Sequence, residues 1–147
     1  MEINNLKAND FAKFHPGGSL GKNLISKVDD FVSEQKPQVS QNDSIKDVII
    51  SISSSRHGIT VVTNENHIIG VITDGDLRRM LMKEDNLSKV LAKDIMSLNP
   101  KTVERNLLAK DAMKILKDNN IGQLVVTENG KYFGIIDLHK LLDEGIN

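Results

Sequence analysis

The 147-residue chain has no cysteine and no tryptophan, and its aromatic residues amount to one tyrosine and four phenylalanines. The absence of cysteine excludes disulfide bonds, thiolate catalysis and metal sites built from thiolates. Neither sign of charge predominates, since 19 basic residues stand against 20 acidic ones. Because proteins that bind nucleic acids carry an excess of lysine and arginine, we expect no nucleic acid among the partners.

Long apolar runs are missing as well. Residues 68–72 form one of the longest apolar stretches, and they fall far short of the roughly 20 residues that span a bilayer. Residues 1–10 lack the charged start and apolar centre of a signal peptide. We therefore predict a cytoplasmic protein with no membrane partner.

What remains is the composition of an ordinary globular protein, with 39% hydrophobic and 27% charged residues. A chain of this length has room for one compact domain or for two small modules that share a core. It has no room for a large catalytic domain beside a regulatory one. We therefore expect a protein that senses or regulates and does not catalyse alone.

The most informative feature is an internal repeat, because residues 30–79 align with residues 94–143 without a gap. Such self-similarity indicates two copies of one supersecondary unit. The identical pairs include Val39/Val103, Asn42/Asn106, Asp47/Asp111, Gly58/Gly122, Val61/Val125, Gly70/Gly134 and Leu77/Leu141.

The first helix of each copy has apolar residues at helical spacing, and in the first copy Ser44 and Asp47 form a capping-box pattern at its start. The buried stripes are predicted to be Ile45, Val48, Ile49 and Ile52 in the first copy, and Ala109, Ala112, Met113 and Leu116 in the second.

Two β-branched runs follow in each copy, separated by a short polar turn that predicts a hairpin. These runs are residues 59–63 and 68–73, then 123–127 and 132–137. A second helix comes next, around residues 77–81 and 138–142. The unit is therefore β-α-β-β-α, and the fold class is mixed α/β.

A unit of roughly 50 residues buries too little surface to be stable alone, so we expect the copies to pack face to face about a pseudo-twofold axis. A cleft would lie at their seam. We assign residues 30–83 to the first copy, 84–93 to the connection, 94–147 to the second copy and 1–29 to a preceding segment.

One candidate binding motif stands at residues 70–76, Gly-Val-Ile-Thr-Asp-Gly-Asp. Thr73 and Asp76 fit a capping box at a helix start. They also fit a ligand site, because an ionised carboxylate beside a hydroxyl can accept both hydrogen bonds of a vicinal diol such as ribose. Both interpretations stay open. The second copy has Asp137 and Lys140 at the equivalent positions, so we expect one diol site and not two.

The repeat and this motif together resemble the tandem CBS domain pair, in which a Gly-hydrophobic-x-Ser/Thr-x-x-Asp segment binds nucleotide ribose. Gly70, Thr73 and Asp76 match that segment. The resemblance implies an adenine or cytidine nucleotide, or a nucleotide sugar, as an effector. It also places the base near Val39 and residues 58–60, which include Gly58 and Thr60. The phosphates would meet Arg56 or Arg79.

The preceding segment carries Phe11-Ala-x-x-His15-Pro-Gly-Gly-x-Leu-Gly21. Followed by such a pair, it resembles bacterial arabinose 5-phosphate isomerases, which join a sugar isomerase (SIS) domain to two CBS domains. They act on the way to 3-deoxy-D-manno-octulosonate, a lipopolysaccharide component. The resemblance implies a catalytic role for His15 when a SIS domain is present in cis or in trans. Alone, His15 is interpreted as a turn residue, because catalysis requires a positioned substrate.

The other histidines, His57, His67 and His139, have no metal-ligand spacing and are predicted to be surface or packing residues. We expect no metal and no cofactor. In the second copy, Asp137-Leu-His139-Lys replaces the His-x-His-Asp of the resembled isomerases, so a ligand role built on the Asp of that segment cannot be carried over. The resemblance also implies a homodimer or tetramer. An oligomerisation module without a ligand, and an isomerase when the SIS domain is present, remain the alternative hypotheses.

Overall fold

The computed structural model describes Gly21 and residues 23–147, and in this range both copies adopt the predicted β-α-β-β-α order. The first copy consists of β1 (Gln38–Val39), α1 (Ile45–Ser55), β2 (Ile59–Asn64), β3 (His67–Thr73) and α2 (Asp74–Lys83). A 3₁₀ turn (Leu87–Lys89) lies in the connection, and the short helix α3 (Ala92–Ile95) and β4 (Ser97–Leu98) lead from it into the second copy. The second copy consists of β5 (Thr102–Glu104), α4 (Ala109–Asn119), β6 (Gln123–Glu128), β7 (Lys131–Asp137) and α5 (Leu138–Asp143).

Helix α1 begins where the capping pattern predicts, because the Ser44 side chain accepts a hydrogen bond from the Asp47 N–H. Ile45, Val48 and Ile52 are buried as predicted. Ile49 is not, since 41% of it is exposed. It lies at the edge of the apolar stripe, where the sheet no longer covers the helix.

The two hairpins are built alike. Strands β2 and β3 pair antiparallel, and their two-residue turn places Glu65 and Asn66 at φ 51° and 66°. Asn129 and Gly130 form the matching turn between β6 and β7, at φ 52° and 81°. Two left-handed residues in succession favour the strand twist of a tight hairpin, which accounts for the polar turns in the sequence. A register shift follows Val62 in one hairpin and Val126 in the other.

The strands lie in the order β1-β2-β3-β7-β6-β5, with β4 beside β3. The two halves meet at one ladder pair, His67 with Lys131. Their facing surfaces enclose a core of Ile59, Val61, Val71, Val125, Tyr132 and Ile135. This core holds the two copies face to face, as the repeat predicted. Within the described residues, no helix combines the length and apolar composition needed to cross a membrane.

The residues that precede each copy pack against the other copy. A 3₁₀ turn (Val28–Phe31) contributes Val28 and Phe31 to the core of the second copy. Conversely, Ala92 lies in the core of the first copy with Val39 and Val48. The same exchange is visible in two isolated bridges, Lys27 with Leu108 and Ser44 with Leu91. The copies are therefore linked by exchanged segments as well as by the central core.

Candidate functional site

Thr73 and Asp76 form the junction between β3 and α2. The Thr73 N–H donates to Asp76 Oδ2 at 2.9 Å, and the Asp76 N–H donates to Thr73 Oγ1 at 3.2 Å. These reciprocal bonds are the capping box that the sequence predicts. Each satisfies a backbone donor that the first helical turn would otherwise leave unpaired. The cap uses one carboxylate oxygen, Oδ2, and leaves Oδ1 for other partners.

The second oxygen of Asp76 lies in a polar cluster. Arg79 Nη2 donates to Oδ1 at 2.7 Å, and the Ser97 hydroxyl donates to the same atom at 3.3 Å. The Asp76 side chain is only 9% exposed, whereas that of Arg79 is 66% exposed. A nearly buried carboxylate is thus held by a cation that stands largely in water. The Ser97 contact joins the first copy to β4.

Asp76 and Arg79 line an open cavity of about 380 Å³, within the size range of small-molecule sites. Its lining carries both signs of charge, since it includes Lys83 and Lys89 as well as Glu84 and Asp94. A zwitterionic wall of this kind suits a ligand that has hydroxyl donors at one end and an anionic group at another.

The other residues predicted at this site are distributed around it. Gly58 has φ 71°, and a Cβ atom there would lie 2.9 Å from Asp74 Oδ2. Its carbonyl accepts from the Asp74 N–H, so Gly58 supports the first turn of α2 from behind. Arg56 ends α1 in the left-handed conformation at φ 62°.

Val39 and Thr60 face α1 and not the Asp76 cavity. Thr60 is fully buried, and its hydroxyl lies 2.7 Å from Ser51 Oγ. Val39 and Ser51 line a second cavity, of about 470 Å³, between β1 and α1. The structure therefore joins Thr73 and Arg79 to Asp76 by hydrogen bonds. It places Val39, one of the expected base contacts, beside a different opening.

Gly70, the first residue of the motif, has a packing role. A Cβ atom there would lie 2.7 Å from the Ser97 carbonyl oxygen, because β4 crosses β3 at this point. The equivalent Gly134 would place its Cβ 2.5 Å from Val32 Cγ1. Both copies thus need a residue without a side chain where the exchanged segment crosses the hairpin.

The second copy has no carboxylate at the position of Asp76. Asp137 accepts a bond from the His139 N–H at 2.7 Å and so caps α5. Lys140 replaces Asp76, and its Nζ lies 3.7 Å from Glu144 Oε2. The asymmetry that the sequence predicts is therefore present in the side-chain contacts.

A cluster that sequence reasoning missed joins residues of the two copies. His57 Nδ1 is 3.2 Å from Asp137 Oδ2, and His57 Nε2 is 2.8 Å from Ser33 Oγ. The three residues line a cavity of about 310 Å³ with Lys140. The arrangement has the order of a Ser-His-Asp relay, but the Gln35 N–H already donates to Ser33 Oγ and ties the hydroxyl into its own turn. We interpret the cluster as a polar link between the copies.

His57 thus has a packing role that includes a side-chain interaction between the copies. No spacing signal could have found it, since His57 and Asp137 are 80 residues apart. In the part of the chain that the structure describes, no group of three His, Asp or Glu side chains could hold a metal ion. His15 lies outside the described residues.

The repeat, the sheet order and the capped Thr-x-x-Asp turn define a class of protein. The CBS domain family model matches residues 28–83 and 92–147. The chain therefore belongs to the CBS domain family and carries two copies of the domain.

Comparison with particular proteins confirms the resemblance to arabinose 5-phosphate isomerases. The chain is 38% identical over 150 residues to arabinose 5-phosphate isomerase KdsD of Pseudomonas aeruginosa. The match covers 99% of this chain and 46% of that protein, so the chain spans less than half of its relative.

Two solved structures share the fold. The CBS domain protein PAE2072 from Pyrobaculum aerophilum, complexed with AMP, matches with a TM-score of 0.70 and 21% identity, over 78% of this chain and 89% of its own. The CBS domain pair of MJ0100, in complex with 5-methylthioadenosine and S-adenosyl-L-methionine, matches with a TM-score of 0.71 and 19% identity, over 81% and 94%.

Proposed function

We propose that this CBS pair binds a nucleotide or nucleotide sugar and regulates a sugar-phosphate isomerase of the arabinose 5-phosphate type. The observation that carries the proposal is Asp76. Its carboxylate is nearly buried at a helix start, Oδ1 takes no part in the capping bonds, and Asp76 lines a cavity of ligand size. Such an oxygen, with the Ser97 hydroxyl beside it, suits the two hydroxyl donors of a ribose.

The comparisons support the choice of ligand and of regulated enzyme. Both matched CBS structures hold adenosine compounds, and the matched relative is an isomerase. We infer that a SIS domain, in cis or in trans, supplies the catalytic part, and that His15 joins its active site. The pathway would be that of 3-deoxy-D-manno-octulosonate, and a nucleotide sugar from the same pathway would be the effector.

The proposal predicts one strong site per chain, because the second copy has Lys140 where the first has Asp76. Within that site, Thr73 and Asp76 would hold the ribose and Arg79 the phosphate. Gly58 shapes the turn behind them. Val39 and Thr60 would contact the base only if the ligand extends toward α1.

The test is a thermal-shift and calorimetric titration of the chain with AMP, CMP and a CMP-linked sugar. A bound ligand raises the melting temperature in proportion to RT ln(1 + [L]/Kd). We expect a shift with one of these ligands and a stoichiometry of one. The 2′,3′-dideoxy analogue of the same nucleotide should give no shift, because it lacks the diol.

Asp76→Ala should abolish the shift and should also lower the stability by about 0.5 to 2 kcal/mol through loss of the cap. Ser44→Ala is the matched control, since it removes the cap of α1 without touching the cavity. It should lower the stability by a similar amount and keep the ligand shift. If none of the three ligands shifts the wild-type melting temperature, the proposal is wrong.

A second candidate function is assembly, which exposed apolar residues favour. Ile50, Leu81, Met82 and Leu142 project from α1, α2 and α5 into solvent, and Met82 is 86% exposed. Exposed apolar side chains grouped on helices are typical of protein interfaces. Light scattering should detect a homodimer or tetramer, which Leu81→Glu combined with Met82→Glu should dissociate. A chain that stays monomeric at all concentrations would exclude this function.

A further inference from the structure

Arg79 lies across the first turn of α2. Besides its bond to Asp76, its guanidinium covers Gly75, where an added Cβ atom would stand 3.3 Å from Nη1 and 3.5 Å from Nη2. A Cβ atom at position 75 would require the guanidinium to shift by a few tenths of an ångström. Gly75 therefore leaves room for Arg79 on the face of the turn that presents Asp76 Oδ1.

This position makes Arg79 a competitor of the ligand. Asp76 Oδ2 is used by the capping box, so a ribose must bond to Oδ1, the atom that Arg79 holds. A diol that displaces the guanidinium also separates a nearly buried carboxylate from its cation, which is unfavourable unless the cation gains a new partner. A phosphate group is the partner that a guanidinium binds best, through two parallel hydrogen bonds.

Resting on the function proposed above, we propose that Arg79 determines specificity by exchanging Asp76 for the phosphate of the ligand. The diol takes Asp76 Oδ1 while the released guanidinium pairs with the phosphate, so the two contacts form together. A nucleoside without phosphate displaces Arg79 from Asp76 but provides no new partner for the guanidinium. The site thus discriminates against nucleosides by a contact inside the protein, in addition to its direct attraction for phosphate.

The exposure of the two side chains makes the exchange feasible. Arg79 is 66% exposed and can change position without disturbing the core, whereas Asp76 is fixed by the cap. Lys83 and Lys89 line the same cavity and add attraction for an anion. As ammonium groups, they bind phosphate without the two-pronged geometry of a guanidinium. Arg78 is exposed on the same helix and does not line this cavity.

The experiment compares the affinities of a nucleotide and its nucleoside, as AMP with adenosine and CMP with cytidine, by calorimetry. The variants are Arg79→Ala, Arg79→Gln and, as matched control, Arg78→Ala. For Arg79→Ala we expect the monophosphate affinity to fall about tenfold. The nucleoside affinity should rise about two- to fivefold, because the contact that opposes it is gone. Arg78→Ala should keep both wild-type affinities.

Arg79→Gln separates charge from packing, since its amide can still donate to Asp76 but cannot pair ionically with phosphate. Arg79→Gln should show the same fall in monophosphate affinity as Arg79→Ala. If Arg79→Ala weakens the monophosphate and the nucleoside equally, or changes neither, the exchange is wrong while the proposed function stands. If the wild-type chain binds no monophosphate at all, the proposed function fails, and the exchange fails with it.

Discussion

Tyr132 is the residue whose substitution tests the contact between the two copies most directly. Its side chain is 2% exposed, and its hydroxyl donates to the Pro37 carbonyl oxygen at 2.7 Å. The ring belongs to the second copy and packs in the shared core, whereas Pro37 leads into the first copy. Tyr132→Phe removes this hydrogen bond and keeps the ring in place.

The expected loss of stability is limited because the Pro37 carbonyl keeps a second hydrogen bond. Its carbonyl also accepts from the Val61 N–H at 3.4 Å, so the substitution does not leave it without a donor. The cost should then be the net value of one buried hydrogen bond, about 1 kcal/mol, and not the larger penalty of an unsatisfied group. For a chain of this size, that corresponds to a melting temperature about 2 to 4 °C lower.

Tyr132 should also dominate the change in stability at alkaline pH. Burial raises the pKa of the Tyr132 hydroxyl above its ordinary value of 10.0. The unfolded chain therefore loses the phenolic proton at lower pH than the folded chain. The stabilising contribution is fully present below pH 10 and is lost as the pH rises toward the folded-state value. Tyr132→Phe removes this dependence, so the two stability curves should converge above about pH 10.

The assay is urea unfolding of both proteins between neutral and alkaline pH. Phenolate absorbance gives a direct readout as well, because Tyr132 is the one tyrosine of the chain. In the folded protein the absorbance should rise only at a pH above the ordinary value for tyrosine. Equal stability of the two proteins at pH 7 would refute the hydrogen-bond argument. Phenol ionisation near pH 10 in a protein that is still folded would refute the burial argument.

Two further predictions concern packing and acid stability. Gly134→Ala should cost about 1 to 3 kcal/mol in chemical unfolding, because its Cβ would lie 2.5 Å from Val32; Gly122→Ala, which has open space, is the control and should cost less. A smaller loss of stability for Gly134→Ala than for Gly122→Ala would contradict the conclusion that Gly134 leaves room for Val32. The pKa of Glu104 is lowered from 4.5 chiefly by the Thr127 hydroxyl and then by the Asn129 N–H. Its stabilising effect is present above pH 4.5 and is lost on acidification, so Glu104→Gln should flatten the acid limb of the stability curve.

The sequence determined the parts of this protein that depend on neighbours along the chain. Helical spacing predicted α1 and α4, alternating β-branched runs predicted the hairpins, and the Thr73–Asp76 cap forms as its residue types require. The repeat also predicted two copies, which differ in having Asp76 in the first and Lys140 in the second. Such features are local, because capping bonds and tight turns join residues two to four positions apart.

The tertiary structure decided what depends on contacts between distant segments. The exchange of Val28 and Ala92 between the two cores has no signature in spacing, since either copy could bury them equally well. The His57–Asp137 contact and the crossing at Gly70 arise for the same reason, because side chains far apart in sequence meet only after the copies have packed. Arg79 illustrates both levels: its position in the helix follows from the sequence, but its pairing with a carboxylate that is nearly buried by the surrounding fold does not.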